Sequence, residues 1–222
     1  MTCGAIAGLY VITPDVADTA ILLAMTNEAL SGGAEVVQYR NKAADTSLRI
    51  KQASLLADLC RQAAVPFIIN DYPDLAVELD ADGVHLGKED VSIAEARRRL
   101  GHEKIIGVSC YNELEHALEA ERQGADYIAF GAFFASATKP GAKAAGLDLL
   151  LQAKQTLHIP VVAIGGINLT NAAELIRHGA DALAIIDAVF GARNVRYAAE
   201  KISRLFQMKH YTAHHGLSND FA

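Results

Sequence analysis

The sequence predicts one α/β domain, a single (β/α)8 TIM barrel, on three observations. Eight short apolar runs rich in β-branched residues recur along the 222 residues. Segments of helical periodicity lie between them. Glycines cluster after the sixth and seventh runs rather than after the first. Strands buried on both faces read as near-continuous apolar runs, the mark of a parallel sheet. Strict alternation excludes bundles and sandwiches. Eight units in this length suit a closed barrel, which takes about 250 residues. An open doubly wound sheet would put its glycine-rich turn after the first strand, where this chain has "TPD".

Each unit can be read in order. "GLYVIT" from Gly8 is the first strand. The helix "ADTAILLAMTNEALSGG" follows, with Ile21, Leu22, Met25 and Leu30 at helical spacing and a glycine pair as its stop. "AEVVQYR" from Ala34 precedes "TSLRIKQASLLADLCRQAA", and "PFIIND" from Pro66 precedes "YPDLAVEL". "DGVHLG" from Asp82 leads to "VSIAEARRRLG", where Ser92 and Glu95 form a capping box and Gly101 is the stop. "KIIGVS" from Lys104 and "NELEHALEAERQGA" make the fifth unit, "DYIAFG" from Asp126 and a helix from Leu147 the sixth. "PVVAIGG" from Pro160 with "NLTNAAELIRHGA", then "DALAIID" from Asp181 with a helix from Asn194, complete the set. The barrel is therefore expected over 1–209. Residues 210–222 have mixed polarity and no period, so a disordered tail is expected there, with the pair His214–His215 incidental to function.

Composition narrows the function. The chain is 51% hydrophobic and 21% charged, enough for one sizeable core, and its net charge is −6 with no Lys/Arg tract. Nucleic-acid binding calls for clustered cations, so it is not expected. Cys3, Cys60 and Cys110 are odd in number, widely spaced and without a CxxC, which fits a reducing cytosol and gives no zinc or disulfide signal. The start lacks a signal peptide, and no apolar stretch reaches the ~18 residues of a membrane span. A soluble cytoplasmic protein is expected, with no membrane partner.

Active sites of such barrels form where strands end. The second strand ends in Gln38, Arg40 and Lys42, spaced two apart. On a strand such a row projects to one side. The third ends in Asn70–Asp71, the fourth runs into Lys88, Glu89 and Asp90, and the fifth ends in Ser109–Cys110. After the sixth comes "FGAFFASATKPG", with Ser136, Thr138 and Lys139; the seventh ends in Gly165–Gly166 and the eighth in Asp187. Arg40, Lys42 and Lys139, with donors from Gln38, Ser136 and Thr138, suit a phosphate or diphosphate. Asp71 and Asp90 beside such a site suit Mg²⁺, held by carboxylates and substrate phosphates; each could instead cap the helix that follows it. The glycines of "AIGGI" suit a second phosphate held by backbone N–H groups. No Ser–His–Asp set occurs at the strand ends, and His85 reads as a packed core histidine. Two anion sites, a metal pair and no nucleophile together point to a transferase with a diphosphate leaving group.

At these residues the chain resembles the thiamin phosphate synthase family. The resemblance runs from "GLYVIT" to "IIDAVF" and is carried by "QYRNK", "FIINDYPDLA", "ADGVHLGKED", "IIGVS", "GADYIAFGAFFASATKPG", "IPVVAIGGI" and "GADALAII" in that order. It implies joining of 4-amino-2-methyl-5-(diphosphooxymethyl)pyrimidine to 4-methyl-5-(2-phosphooxyethyl)thiazole by a dissociative, Mg²⁺-assisted route, with thiamin phosphate and diphosphate as products. It further implies that Gln38, Arg40, Lys42, Asn70 and Lys139 hold the diphosphate and that Asp71 and Asp90 hold Mg²⁺. Ser109 would sit by the pyrimidine, Ser136 and Thr138 on the thiazole-phosphate side, and Gly166 would bind the thiazole phosphate through its backbone. Lys139, Arg40 and Ser109 would be the catalytic groups. Members of the family are often dimers, so a homodimer is among the options.

Five positions depart from the family pattern. Lys88 replaces a common Gln, Cys110–Tyr111 replaces a small-residue, His or Thr pair, Ser136 replaces Thr, and Asp187 replaces a serine that contacts the thiazole phosphate. An aspartate repels a phosphate dianion unless it turns away, so backbone N–H groups around Ile186 are expected to bind instead. Two rivals stand beside the synthase reading. A related thiazole tautomerase would use a histidine soon after the fifth-strand serine and need no metal pair; a phosphate-ligand sensor on the same barrel would bind without turnover.

Overall fold

The computed structural model describes residues 6–135 and 145–214, with side chains as far as Met208. Eight parallel strands close into a barrel in chain order, β1 through β8, with β8 paired to β1. They are β1 (Gly8–Ile12), β2 (Val36–Tyr39), β3 (Phe67–Asn70), β4 (Gly83–Leu86), β5 (Ile105–Tyr111), β6 (Tyr127–Phe130), β7 (Val161–Ile164) and β8 (Ala182–Ile185). The helices are α1 (Thr19–Ser31), α2 (Thr46–Ala63), α3 (Pro73–Glu78), α4 (Ile93–Leu100), α5 (Leu114–Arg122), α6 (Leu147–Thr156), α7 (Ala172–Arg177), α8 (Asp187–Phe190) and α9 (Val195–His214). All eight strand positions expected from the sequence are occupied. Helix α9 continues to His214, so the expected boundary at 209 falls inside it; residues 215–222 lie outside the described residues.

Period-2 alternation divides the apolar residues into two cores. Leu9, Val11, Val37, Ile69, Val84, Ile106, Ile128 and Leu183 face outward and bury the apolar faces of the helices. Tyr10, Ile12, Val36, Ile68, Ile105, Tyr127, Ala129, Val162 and Ala184 face inward and fill the barrel. Both strand faces are therefore dry, which is why the runs lack polar alternation.

Three aspartates that precede strands fasten the floor of the barrel. Asp82 accepts from Phe67 N at 2.8 Å, Asp126 from Ile106 N at 2.7 Å and Asp181 from Val161 N at 2.8 Å. Each carboxylate satisfies the backbone N–H of a neighbouring strand near its start, a group the ladder leaves open. Arg97 pairs with Asp126 at 2.6 Å and Lys154 with Asp181 at 2.8 Å. This is the physical content of the repeated Ala-Asp before strands, and it places these residues far from the chemistry.

Two local expectations are corrected. Ile21 is 56% exposed; the buried stripe of α1 is Leu22, Thr26 and Ala29. Ser92 does cap α4 by accepting from Glu95 N at 3.2 Å, but the Glu95 carboxylate takes Arg98 at 2.6 Å and Arg99 at 2.7 Å. A charged partner within the same helix outcompetes the return bond to Ser92 N.

Candidate active site

A cavity of about 410 Å³ opens at the C-terminal end of the strands. Gln38, Arg40 and Lys42 line one wall, with Asn70, Ser109, Gly166, Ile186 and Asp187 around it. The polar row at the end of β2 faces inward because its neighbours face outward and are tied there. Tyr39 OH donates to Gln52 Oε1 at 3.0 Å, and Asn41 Nδ2 donates to the same oxygen at 3.0 Å and to Val16 O at 3.0 Å. Gln52 lies on α2, so a buried amide holds the row in register. Thr13 joins the ends of β1 and β2, its hydroxyl donating to Arg40 O and accepting from Arg40 N, both at 2.9 Å. Asp15 adds a second tie, accepting from Lys42 N at 2.9 Å and from Arg40 Nη1 at 3.4 Å. Lys42 itself lies in the turn after β2, yet its ammonium still reaches inward, 3.9 Å from Asp71 Oδ2. Thr13 and Asp15 were not singled out by sequence, although "ITPD" stands at a strand end, where such residues belong.

Asp71 and Asp90, the pair assigned to Mg²⁺ from the sequence, face each other across the mouth. The helix-cap alternative fails for both. Helix α3 starts from Tyr72 with no side-chain cap, and α4 is capped by Ser92. Asp90 instead accepts from Gly87 N at 2.6 Å, which aims it back toward the barrel mouth. Asp71 sits at φ 66, a left-handed conformation that Asp tolerates better than most residues. Burial first, and the facing Asp90 second, push its carboxyl up to about 6, with Lys42 and Arg40 pulling the other way. A carboxyl group held up by burial and by a facing carboxylate marks a place where a cation is favoured. No third His, Cys, Asp or Glu joins them among the described residues. That donor set fits Mg²⁺, which keeps positions for phosphate oxygens and water.

Beneath the cavity five inward side chains form one hydrogen-bonded chain. Gln38 Nε2 donates to Tyr10 OH at 2.8 Å, and Tyr10 OH meets Tyr127 OH at 2.8 Å. Tyr127 OH meets His85 Nδ1 at 2.9 Å, and His85 Nε2 meets Ser109 Oγ at 2.8 Å. His85 is thus buried as expected but polar in role, not a packed spacer. Burial pushes its imidazole down to about 4, so it is neutral near pH 7. Tyr127 fits because residue 107 is glycine: a Cβ there would lie 1.9 Å from Tyr127 Cζ. Tyr10 and Tyr127 were absent from the sequence reading. Their signal was an inward-facing tyrosine within two strands, one of them beside a glycine in a neighbouring strand.

Ser109 faces the cavity while Cys110 turns outward into the helix layer, fully buried, its thiol pushed up to about 12 by burial. A register shift between Ser109 and Tyr111 then brings Tyr111 back to the cavity wall, at φ 53. Of the unusual Cys110–Tyr111 pair, only the tyrosine can meet a ligand. Gly166 has φ 63, and a Cβ there would lie 2.5 Å from Ala135 O, so only glycine fits this bend. Asp187 is exposed at the first turn of α8, and Lys88 is exposed as well. Ser136, Thr138 and Lys139 lie outside the described residues.

Known proteins resemble this chain closely. A family model described as thiamine monophosphate synthase matches residues 9–189. The thiamine-phosphate synthase of Nitrosospira multiformis is 58% identical over 206 residues, 93% of this chain and 88% of the relative. That of Nitrosomonas eutropha is 54% identical over 201 residues, 90% of this chain and 95% of the relative. Among solved structures, a thiamine phosphate pyrophosphorylase from Pyrococcus furiosus superposes with a TM-score of 0.82 at 40% identity, covering 91% of this chain and 96% of that one.

Proposed function

The chain belongs to the thiamine monophosphate synthase family, and we propose that its barrel mouth is where a pyrimidine diphosphate and a thiazole phosphate are joined. The enzyme is a transferase; thiamin phosphate forms and diphosphate leaves. One observation carries the assignment of the site: Arg40 and Lys42 line a cavity floored by neutral hydrogen-bonding groups, and Lys42 lies 3.9 Å from Asp71, which faces Asp90.

The reaction needs a bond from the pyrimidine methylene carbon to the diphosphate oxygen to break. Both electrons leave with the oxygen, and the amino-pyrimidine spreads the positive charge that remains. Arg40 grips the departing oxygens through its planar fork and Lys42 adds a point charge. Gln38 and Asn70 add neutral polar contacts, and Lys139 is assigned to the same group from the sequence. Mg²⁺, held by Asp71 and Asp90, would neutralise charge growing on the leaving group. Ser109 orients the ring. The thiazole nitrogen supplies the electron pair for the new C–N bond, so no protein nucleophile is required. Holding the two substrates in one cavity, with donors already aimed, supplies most of the rate. Ser136, Thr138 and the backbone N–H groups near Gly166 and Ile186 are assigned to the thiazole phosphate. The reading includes a cytoplasmic enzyme; among the described residues no helix is long and apolar enough to cross a membrane.

The direct experiment incubates the protein with both substrates and Mg²⁺ and follows thiamin phosphate and released diphosphate together. Equal amounts of both products are expected. Binding of both substrates without product would favour a sensor. Isomerisation of a thiazole carboxylate phosphate would favour a tautomerase, although Cys110 and Tyr111, not a histidine, directly follow Ser109.

A further inference from the structure

We propose that Tyr10 and Tyr127 are positioning residues that set the donor–acceptor sense of the ring pocket, so that Gln38 offers it a carbonyl acceptor and Ser109 a hydroxyl donor. This rests on the reading of the cavity given above and adds how its floor selects the ring.

Proton counting along the buried chain gives the sense. Gln38 spends an N–H on Tyr10 at 2.8 Å, which leaves its Oε1 free to accept. Tyr10 has one hydroxyl hydrogen, and Tyr127 stands 2.8 Å away to receive it. Tyr127 then gives its own hydrogen to His85 Nδ1 at 2.9 Å. That nitrogen must carry a lone pair, so His85 is protonated at Nε2 and donates to Ser109 Oγ at 2.8 Å. Ser109 keeps its hydrogen for the cavity. With the Gln38 amide donating through Nε2, the opposite sense in the rest of the chain would make Tyr10 accept from both neighbours and leave its own hydrogen without a partner on a residue that is 1% exposed. A buried donor without an acceptor is costly. The chain is therefore one-directional, running from β2 through β1, β6 and β4 to β5. Its two ends face the cavity with opposite chemistry. The ligand class it selects is a heteroaromatic ring with an exocyclic N–H on one edge and a ring-nitrogen lone pair on another, as an amino-pyrimidine has.

Two measurements test this. Nitrogen NMR of histidine-labelled protein, with the His85 signal identified by His85→Asn, reads the tautomer directly. A proton on Nε2 is expected; a proton on Nδ1 overturns the proposal, whether or not the enzyme turns over. Kinetics then test whether the tyrosines act through the ends of the chain. Tyr127→Phe keeps the ring under Gly107 and removes the hydroxyl. It should lower kcat/KM for the pyrimidine diphosphate about tenfold or more, with KM for the thiazole phosphate changed by less than about twofold. In a Ser109→Ala background the same change should cost about threefold less than in the wild type or lower still, because only the Gln38 end of the chain is then left for it to orient. An equal loss in both backgrounds, or no loss in the wild type, overturns the positioning role. Should the wild type form no thiamin phosphate, it is the reading of the cavity that fails, and the tautomer still decides the sense of the chain.

Discussion

Asp71 and Asp90 are the residues whose chemistry is least replaceable. Each is freed from helix capping, and together they concentrate negative charge beside Arg40 and Lys42. Asp71→Asn and Asp90→Asn should each lower turnover by about 100-fold or more while the urea midpoint stays within about 10% of wild type. Unfolding in step with the loss of activity would make them structural instead. Asp187 sits exposed at the mouth, so Asp187→Ser should leave thiazole-phosphate affinity equal or better, read as KM for that substrate; a large loss would mean that the carboxylate makes a needed contact. The residues of the outer wall were legible in the sequence because a strand's period of two puts Gln38, Arg40 and Lys42 on one side. Tyr10 and Tyr127 were not. Each sits inside an apolar run, and its partner lies on a strand that only barrel closure brings opposite.

At the scale of elements, the units are fixed by what ends them. Gly101 stops α4, the glycine pair stops α1, and Asp82, Asp126 and Asp181 tie the starts of neighbouring strands. These ties are structural and face away from the cavity. Asp126→Ala removes the acceptor for Ile106 N and the partner of Arg97, and should lower stability by about 1–3 kcal/mol in urea unfolding. KM for both substrates should not change; a shift in either would show that the floor communicates with the site. Strand and helix order could be read from periodicity because each element is either buried on two faces or amphipathic. The reciprocal half of the α4 capping box could not, because Arg98 and Arg99 compete for Glu95 through charge rather than spacing. Asp15 and Thr13 escaped for another reason: their partners lie 27 residues away or about that, on the end of the next strand.

The whole molecule carries a pH signature from the core between its strands and helices. Burial pushes the Cys60 and Cys110 thiols up to about 12 from an ordinary 9.0. The folded state therefore resists ionisation that the unfolded chain undergoes freely. Their contribution to stability is complete below pH 9 and is lost as pH rises from 9 toward 12. Each thiol adds a slope of about 1.4 kcal/mol per pH unit in that window. The urea midpoint should fall between pH 8.5 and about 10, and Cys60→Ala with Cys110→Ala should flatten the fall. An unchanged slope would mean that the thiols ionise in the folded state. The closed barrel itself was legible at this scale from eight repeats in one chain. Which side chains meet across its mouth was not, since that depends on strand register around the full circle.

The central claim is that the polar row at the end of β2 seats the diphosphate. Its most direct test is the inhibition constant of inorganic diphosphate with Mg²⁺, measured against the pyrimidine diphosphate during thiamin phosphate formation. Competitive inhibition is expected, weakened about tenfold or more in Arg40→Ala, since a charge-assisted bidentate contact is lost. Inhibition that is not competitive, or a constant unchanged by Arg40→Ala, would contradict it.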